Sequence, residues 1–418
     1  MKIVNKLKGK TYVSTLINRI MYAAVLFIAN ALISRALGVK LKGEYTWIIN
    51  AANIIAIIAG LGVYHSIPYF NRQKKEDEDI VQRYVNIFTL QALVYLAISA
   101  VIIACTGVKI SIISICVLVI MDTFSQELNM LILIVDIFKR NKILLAGAYF
   151  NLITSALCYL TFKDNVVAAI IVLAMFKGFY IVFYLMAMKK IPNPFAVSMK
   201  KLVQIIKFGY MPMLSFLLIT LNYKVDLIML KANSGVSAEA LSYYSVGAQI
   251  AELAWFIPDV FKEVLFSKTA KKNNYDEVSA VLRISNAVLV MVIFGVVVFG
   301  KVMIWLFYGT PFMPAYKVTI CIFLGIPAMS WFKIIYTLFN AQGRRKTSFF
   351  VLLLSACTNI VMNYVLIPVI GIYGAALASV ASYTVCGVIF IFLYSKISGD
   401  PVHKLILMTK KDIKVLKK

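Results

Sequence analysis

Ten ionisable side chains stand inside runs that are otherwise apolar. The bases are Arg19, Lys177, Lys224, Lys301 and Lys333; the acids are Asp122, Glu127, Asp226, Glu252 and Asp259. A charge in such a setting is costly, so it either pairs with an opposite charge or lines a polar route. Spacing groups these residues further. Asp122, Gln126, Asn129 and Asp136 follow i, i+4, i+7 and i+14, one face of a helix. Arg19, Tyr22 and Asn30 share a face, and so do Ser330, Lys333, Tyr336 and Asn340, with Pro327 above them. Lys224 and Asp226 are two apart and diverge, whereas Asn222 and Asp226, at i and i+4, align. Glu252 and Asp259 lie on one face that Pro258 should kink. Lys224 and Lys301 sit toward segment ends, where a long stem reaches the headgroups. Contributed by several helices, these groups could hold a charged, hydroxyl-rich solute, and the carboxylates could take up H⁺ or Na⁺.

Catalytic chemistry is poorly represented. His65 and His403 are far apart, no glycine-rich phosphate loop or metal motif occurs, and no connection is long enough to frame an active site. The expectation is a chain with no catalytic residue, no bound metal and no resident cofactor.

The elements that position these charges follow from composition. Of 418 residues, 61% are apolar and 15% charged, with mean hydropathy +0.86. Soluble domains carry about 25% charged residues, so a soluble enzyme is excluded and an all-α polytopic membrane protein is expected. The net charge of +25 does not imply nucleic acid, because short cytoplasmic connections of membrane proteins collect Lys and Arg. The six cysteines lie in or beside apolar runs without ligand spacing and read as small buried hydrophobes.

Turn and charge signals cut the chain into about twelve transmembrane segments. They lie near 12–34, 45–69, 84–105, 111–138, 143–162, 166–188, 206–231, 241–267, 282–308, 313–340, 347–368 and 371–395. The opening MKIVNKLKGK resembles a signal n-region, but the apolar run after it carries Arg19 and passes Ser34 without a cleavage site, so it reads as the first span. Placing the N-terminus in the cytoplasm leaves only Lys40, Lys42, Lys109, Lys163, Lys231 and Lys317 at outside ends, while most of the 43 Lys and Arg fall inside. Both termini are therefore expected to be cytoplasmic. The organisation is a six-helix lobe over 1–190, a cytoplasmic linker over 191–205 with Pro192 and Pro194, a second six-helix lobe over 206–396 and a basic cytoplasmic tail over 397–418. The halves echo each other faintly: Gly38-Val39 then Gly43-Glu44-Tyr45 after the first segment, Gly235-Val236 then Ser242-Tyr243-Tyr244 after the seventh.

Several motifs resemble one family. Arg35, Leu37, Gly38, Gly43 and Tyr45 match an Arg-x-Leu-Gly turn followed by Gly-x-Tyr. Lys224-Val225-Asp226 stands where Arg-x-Asp is usual, and Ser242-Tyr243-Tyr244-Ser245 where Gly-x-Tyr-Ser is usual. FYGTPFMPA (307–315), AQGRRK (341–346) and NYVLIPVIGIYGAALAS (363–379) follow in order. Together these resemble the Wzx-type polysaccharide transporters of the multidrug/oligosaccharidyl-lipid/polysaccharide (MOP) exporter superfamily. The resemblance implies a MATE-like fold of two pseudo-symmetric six-helix lobes in the bacterial cytoplasmic membrane. It implies a flippase that moves an undecaprenyl-pyrophosphate-linked oligosaccharide to the outer leaflet by alternating access, for O-antigen or capsule synthesis. Membrane lipids and polysaccharide polymerase or assembly proteins would be its partners. On that reading Arg19, Lys177, Lys224 and Lys333 face the pyrophosphate, Tyr22, Asn222 and Asn363 face sugar hydroxyls, and Asp122, Asp226 or Glu252 binds a coupling ion. Lys224 in place of Arg keeps the charge but loses the bidentate fork.

Three other readings compete. A multidrug/cation antiporter of the same superfamily would want an acidic cavity, yet the first segment carries Arg19 and no carboxylate. A membrane polymerase or glycosyltransferase would need a sizeable outer loop. A lipid II flippase usually has spans beyond twelve.

Overall fold

The computed structural model describes residues 2–73, 79–259, 275–409 and 412, and of residues 2–17 the backbone only. The middle of the connection 71–83, the end of the segment 241–267 and much of the tail 397–418 lie outside the described residues. Every described element is helical. In chain order the helices are α1 (Lys2–Ala59), α2 (Ile67–Gln73), α3 (Ile80–Thr106), α4 (Ile110–Val135), α5 (Ile137–Thr161), α6 (Val166–Met188) and α7 (Met199–Ala232). They continue as α8 (Ala238–Ala254), α9 (Tyr275–Phe307), α10 (Ala315–Phe323), α11 (Ile326–Ala341), α12 (Arg345–Ile370), α13 (Ile372–Ser398) and α14 (Val402–Ile406).

Among the described residues nine helices are long and apolar enough to cross a membrane, or ten with the bent pair α10–α11 taken as one span. The difference from twelve expected segments lies in where helices break. No loop separates the first two segments: α1 runs through both and departs from helical geometry at Gly38 alone, with φ 64° and ψ 179°. Glycine adopts that conformation without a Cβ penalty. The 42-residue stretch Asn18–Ala59 would measure about 63 Å at 1.5 Å per residue, twice the hydrocarbon thickness, so the two arms are two spans. The second arm stops at Ala59 rather than near 69, because Leu61 and Gly62 turn left-handed before a 3₁₀ turn, Val63–Ser66.

Proline sets two other breaks. Helix α8 has 17 residues and ends at Ala254, four before Pro258; α10 ends at Phe323, four before Pro327. The proline ring collides with the carbonyl four residues back and offers no N–H, so the helix stops at that residue. The result between α10 and α11 is a 50° bend. Pro212 and Pro368, by contrast, remain inside α7 and α12.

By contacts the chain divides into two units, 1–217 and 218–418. The division falls inside α7 and not in the linker 191–205, because the first part of α7 packs within the first unit: Phe208 stacks on Tyr69, with ring centroids 3.9 Å apart. Part of that linker is itself docked on α3, where Gln82 donates to the Ile191 carbonyl and Asn86 accepts from the Asn193 amide. Asp79 caps α3 through the Gln82 amide and pairs with Lys190 at 2.5 Å. The Lys190 ammonium, followed by the Gln82 amide, holds the Asp79 carboxyl below the usual carboxylate range. In the first unit α1 packs on α4 and α5, α6 covers both, and α3 lies along α4. In the second, α13 is central, against α12, α11 and α10, while α8 packs on α10 and α9 on α11.

Cys158 and Cys386 are buried as expected, but Cys105 and Cys357 are exposed. They share outer helix surfaces with Val101, Ile102, Leu354 and Val361, whose apolar side chains suit contact with lipid.

Candidate functional site

In the second unit the polar centre is Asp226 on α7, 1% exposed. Its Oδ1 accepts from the Asn363 amide at 2.5 Å, and its Oδ2 accepts from the Tyr244 and Ser379 hydroxyls, each at 2.5 Å. Asn363 also donates to the carbonyl and side-chain oxygen of Asn359, and Asn359 donates to Ser382. One turn before Asp226, Asn222 donates to the Ser355 hydroxyl, which in turn donates a hydrogen bond to the Ser382 carbonyl. Four helices, α7, α8, α12 and α13, are thus tied by one hydrogen-bonded system with a carboxylate at its focus. Three charge-assisted donors satisfy that carboxylate without a basic side chain. Asn222 and Asn363 therefore lie in helix–helix contacts and are almost wholly buried.

Lys224 points elsewhere, as a two-residue offset requires, and is half-buried within electrostatic reach of Glu252. Lys333 also interacts with Glu252, bonds Asp259 at 2.9 Å and lies 5.0 Å over the Trp255 ring. Tyr223 stacks obliquely on Trp255 at 4.1 Å. These residues form a second cluster in which two ammonium groups face two carboxylates beside an aromatic wall. Lys301 is exposed, with its ammonium 5.5 Å over Tyr316, as a side chain reaching for the headgroups should be.

In the first unit Lys177 on α6 pairs with Asp122 on α4 at 2.6 Å. Tyr22 on the first arm of α1 interacts with Lys177, and also with Tyr180, Tyr184 and Arg140. Arg140 Nε donates to Asn129 at 2.8 Å, and Tyr184 donates to the same oxygen at 3.1 Å. Arg19 is half-buried three residues before Tyr22 on the same arm. Asp122 and Asn129 thus turn the same way, toward α5 and α6. Asp136 does not belong with them: its backbone is extended, and its carboxylate caps α5 through the Phe138 and Lys139 amides. An aspartate at an N-cap satisfies orphan helix donors, and that local preference overrides the longer helical spacing.

Several participants escape the sequence reading. Arg140, counted there among cytoplasmic charges, reaches inward from the first turn of α5. Lys42, counted with the outside ends, is fully buried, with Nζ 2.8 Å from Asn30 and 5.0 Å over the Tyr45 ring. Its spacing of twelve from Asn30 gives no helical signal, since the break at Gly38 intervenes. Tyr244, Asn359 and Ser379 are uncharged and carry no sign of their common partner, although Tyr244 and Ser379 fall in quoted motifs.

The motif positions explain themselves in this setting. Gly38 and Gly309 mark turns, and the run 363–379 brings Asn363 and Ser379 onto Asp226. At these positions the motifs serve turns and helix packing.

No curated protein sequence matches the chain. Among solved structures, the chain is similar to lipid II flippase MurJ in an inward closed conformation, at 15% identity over 94% of this chain and 89% of that one, with a TM-score of 0.77. An inward-facing multidrug resistance MATE family transporter of the MOP superfamily matches at 13% identity over 91% and 96%, with a TM-score of 0.66. A MOP superfamily transporter from Pyrococcus furiosus, described as having a binding pocket of reverse polarity, matches at 14% identity over 93% and 96%, with a TM-score of 0.61. These likenesses bear out the all-helical MOP fold. The family model for lipid II flippase MurJ matches residues 143–416, most of the chain, and this is a different branch from the Wzx-type transporters that the motifs resemble. The chain belongs to the MurJ lipid II flippase family.

Proposed function

We propose that this protein carries a polyprenyl-pyrophosphate-linked saccharide from the inner to the outer leaflet of the bacterial cytoplasmic membrane by alternating access. Its family is one of multi-pass inner-membrane flippases, and the family's own description names lipid II. Lipid II and an undecaprenyl-pyrophosphate-linked oligosaccharide share a diphosphate that cannot enter hydrocarbon unaided and a tail that can stay there. Family membership is the observation that carries this reading. The first-unit cluster fits it: Lys177, Arg140 and Arg19 are cations, and Tyr22, Tyr180 and Tyr184 add hydroxyls. Guanidinium groups donate two parallel bonds to phosphate oxygens. Asp226, Glu252 and Asp122 are proposed as carboxylates that a coupling H⁺ or Na⁺ could meet. Within the second unit Lys224, Lys333, Asn222 and Asn363 are the proposed substrate contacts, and the two asparagines would have to leave their helix contacts to meet a sugar.

Reconstituted vesicles test the proposal with fluorescent lipid II, an undecaprenyl-pyrophosphate-linked oligosaccharide and a cationic dye. Accelerated translocation of either pyrophosphate lipid is expected, and the preferred one names the saccharide. Efflux of the dye with no lipid movement would replace this reading by the antiporter. Arg19→Lys should impair lipid movement and Arg19→Ala nearly abolish it at equal membrane levels.

A further inference from the structure

Glu127, near the middle of α4, is 1% exposed, yet neither carboxyl oxygen has a hydrogen-bond partner. Its surroundings are built from three other segments. Tyr64 in the turn Val63–Ser66 and Tyr95 on α3 interact with it electrostatically. Neither supplies it with a hydrogen bond, and the Tyr95 hydroxyl donates to the Ala59 carbonyl at the end of α1. Gln91 donates to Tyr95 at 3.3 Å, which leaves the Gln91 carbonyl oxygen buried and unpartnered. His65, its ring 4.1 Å from that of Tyr64, has a buried Nε2 without a partner. The acid on Glu127's own helix, Asp122, is already held by Lys177. Among the described residues, no lysine or arginine pairs with Glu127.

Unsatisfied buried polar atoms are uncommon, and two on one carboxyl call for a bound species. Those on Glu127 and Gln91 are acceptors. An ionised carboxylate that no donor or cation meets is too costly to persist in such a site, and it becomes neutral by taking up a proton. A sodium ion would want five or six oxygens; the unpartnered oxygens here are the two of Glu127 and one of Gln91. We propose that Glu127 is a proton-binding site of the first unit, protonated in the arrangement described and giving up its proton when movement of the turn beside Gly60 and Gly62 admits water. That turn carries left-handed residues, Leu61 and Gly62, next to Tyr64. The protonation stands by itself, whereas its linkage to transport rests on the flippase reading.

The test uses the purified full chain in lipid nanodiscs. Infrared difference spectra should show a carboxylic-acid C=O band in the wild type at neutral pH that is lost in Glu127→Gln, which matches the neutral acid in shape. The wild-type band should fade on alkalinisation and stay unchanged when Na⁺ is added at fixed pH. In vesicles carrying lipid II, the response of translocation to an imposed pH gradient should be lost in Glu127→Gln. A spectrum in which the substitution removes no acid band at neutral pH would overturn the proposal. A band displaced by Na⁺ would overturn it in favour of a metal-cation site. Failure of lipid II transport alone would count against the flippase reading and leave the infrared result intact.

Discussion

Asn363 donates its side-chain amide to the Asp226 carboxylate at 2.5 Å across 137 residues of sequence. The contact joins Asp226 to a hydrogen-bonded network across α7, α8, α12 and α13, so that its carboxylate is not an isolated charge. Substituting Asp226→Asn keeps the volume but turns an acceptor of three donors into a group with one acceptor oxygen. A loss of about 1–3 kcal/mol is expected, the range for stranding buried donors, with protein still reaching the membrane. Thermal unfolding in detergent measures the loss. Transport in vesicles should fall and lose any response to H⁺ or Na⁺ gradients; wild-type transport indifferent to both would remove the coupling role.

The Lys177–Asp122 pair separates packing from function. Lys177→Met strands Asp122 and should destabilise by about 3–5 kcal/mol, as broken buried pairs do. Adding Asp122→Leu should recover most of that stability. If Lys177 holds the pyrophosphate, lipid translocation stays lost in the stable double variant. A double variant that transports normally would show that the pair only binds α4 to α6.

Gly62 and Gly209 meet backbone to backbone, so a Cβ on either would collide with the other's carbonyl. Gly209→Ala should cost about 3 kcal/mol through forced displacement of α7 from the turn at 60–62. The yield of monodisperse protein and its melting temperature would reveal this, with Gly178→Ala on open helix surface as the control.

Near the end of the chain, Asp412 is held by a two-pronged contact, Arg283 Nη2 at 2.6 Å and Nε at 2.8 Å. Burial pushes the Asp412 carboxyl up, but the Arg283 fork and the Thr409 amide and hydroxyl outweigh it and leave the carboxyl below its usual range. A depressed carboxylate contributes stability that is complete above its unfolded value, about 4, and is lost as pH falls through the lower folded value. Docking of residues 402–409 and of Asp412 should therefore persist at neutral pH and release only in stronger acid. Asp412→Ala should release it at all pH values, read as faster hydrogen exchange over 402–409.

Topology is open to direct measurement. Reporter fusions after Lys190 and Arg345 should report cytoplasm, and fusions near Lys163, Ser234 and Gly309 the outside, following the distribution of Lys and Arg. Two reversed sites would remove the orientation with cytoplasmic termini.

Composition by itself determined that the chain is helical and lies in a membrane, because hydrocarbon leaves few other ways to satisfy backbone groups. Local chemistry was equally legible at particular positions. Gly38 marks a turn, Pro258 disturbs its helix, and Lys224 and Asp226 diverge, whereas the expected segments 241–267 and 313–340 run past Pro258 and Pro327 where the helices in fact end. Each of these depends on neighbours within a turn or two of the same helix. The partners of the buried charges were not legible. Asp122 meets Lys177, and Asp226 meets Asn363 and Ser379, only once helices far apart in sequence are packed together, and Lys42 is buried against Asn30 only because α1 breaks at Gly38 between them. Asp136 shows the limit most plainly, since its place in a helical stripe was an extrapolation across a helix end that its own capping created. The branch of the superfamily also stayed hidden, because the motifs the sequence shows most plainly serve turns and helix contacts in this chain.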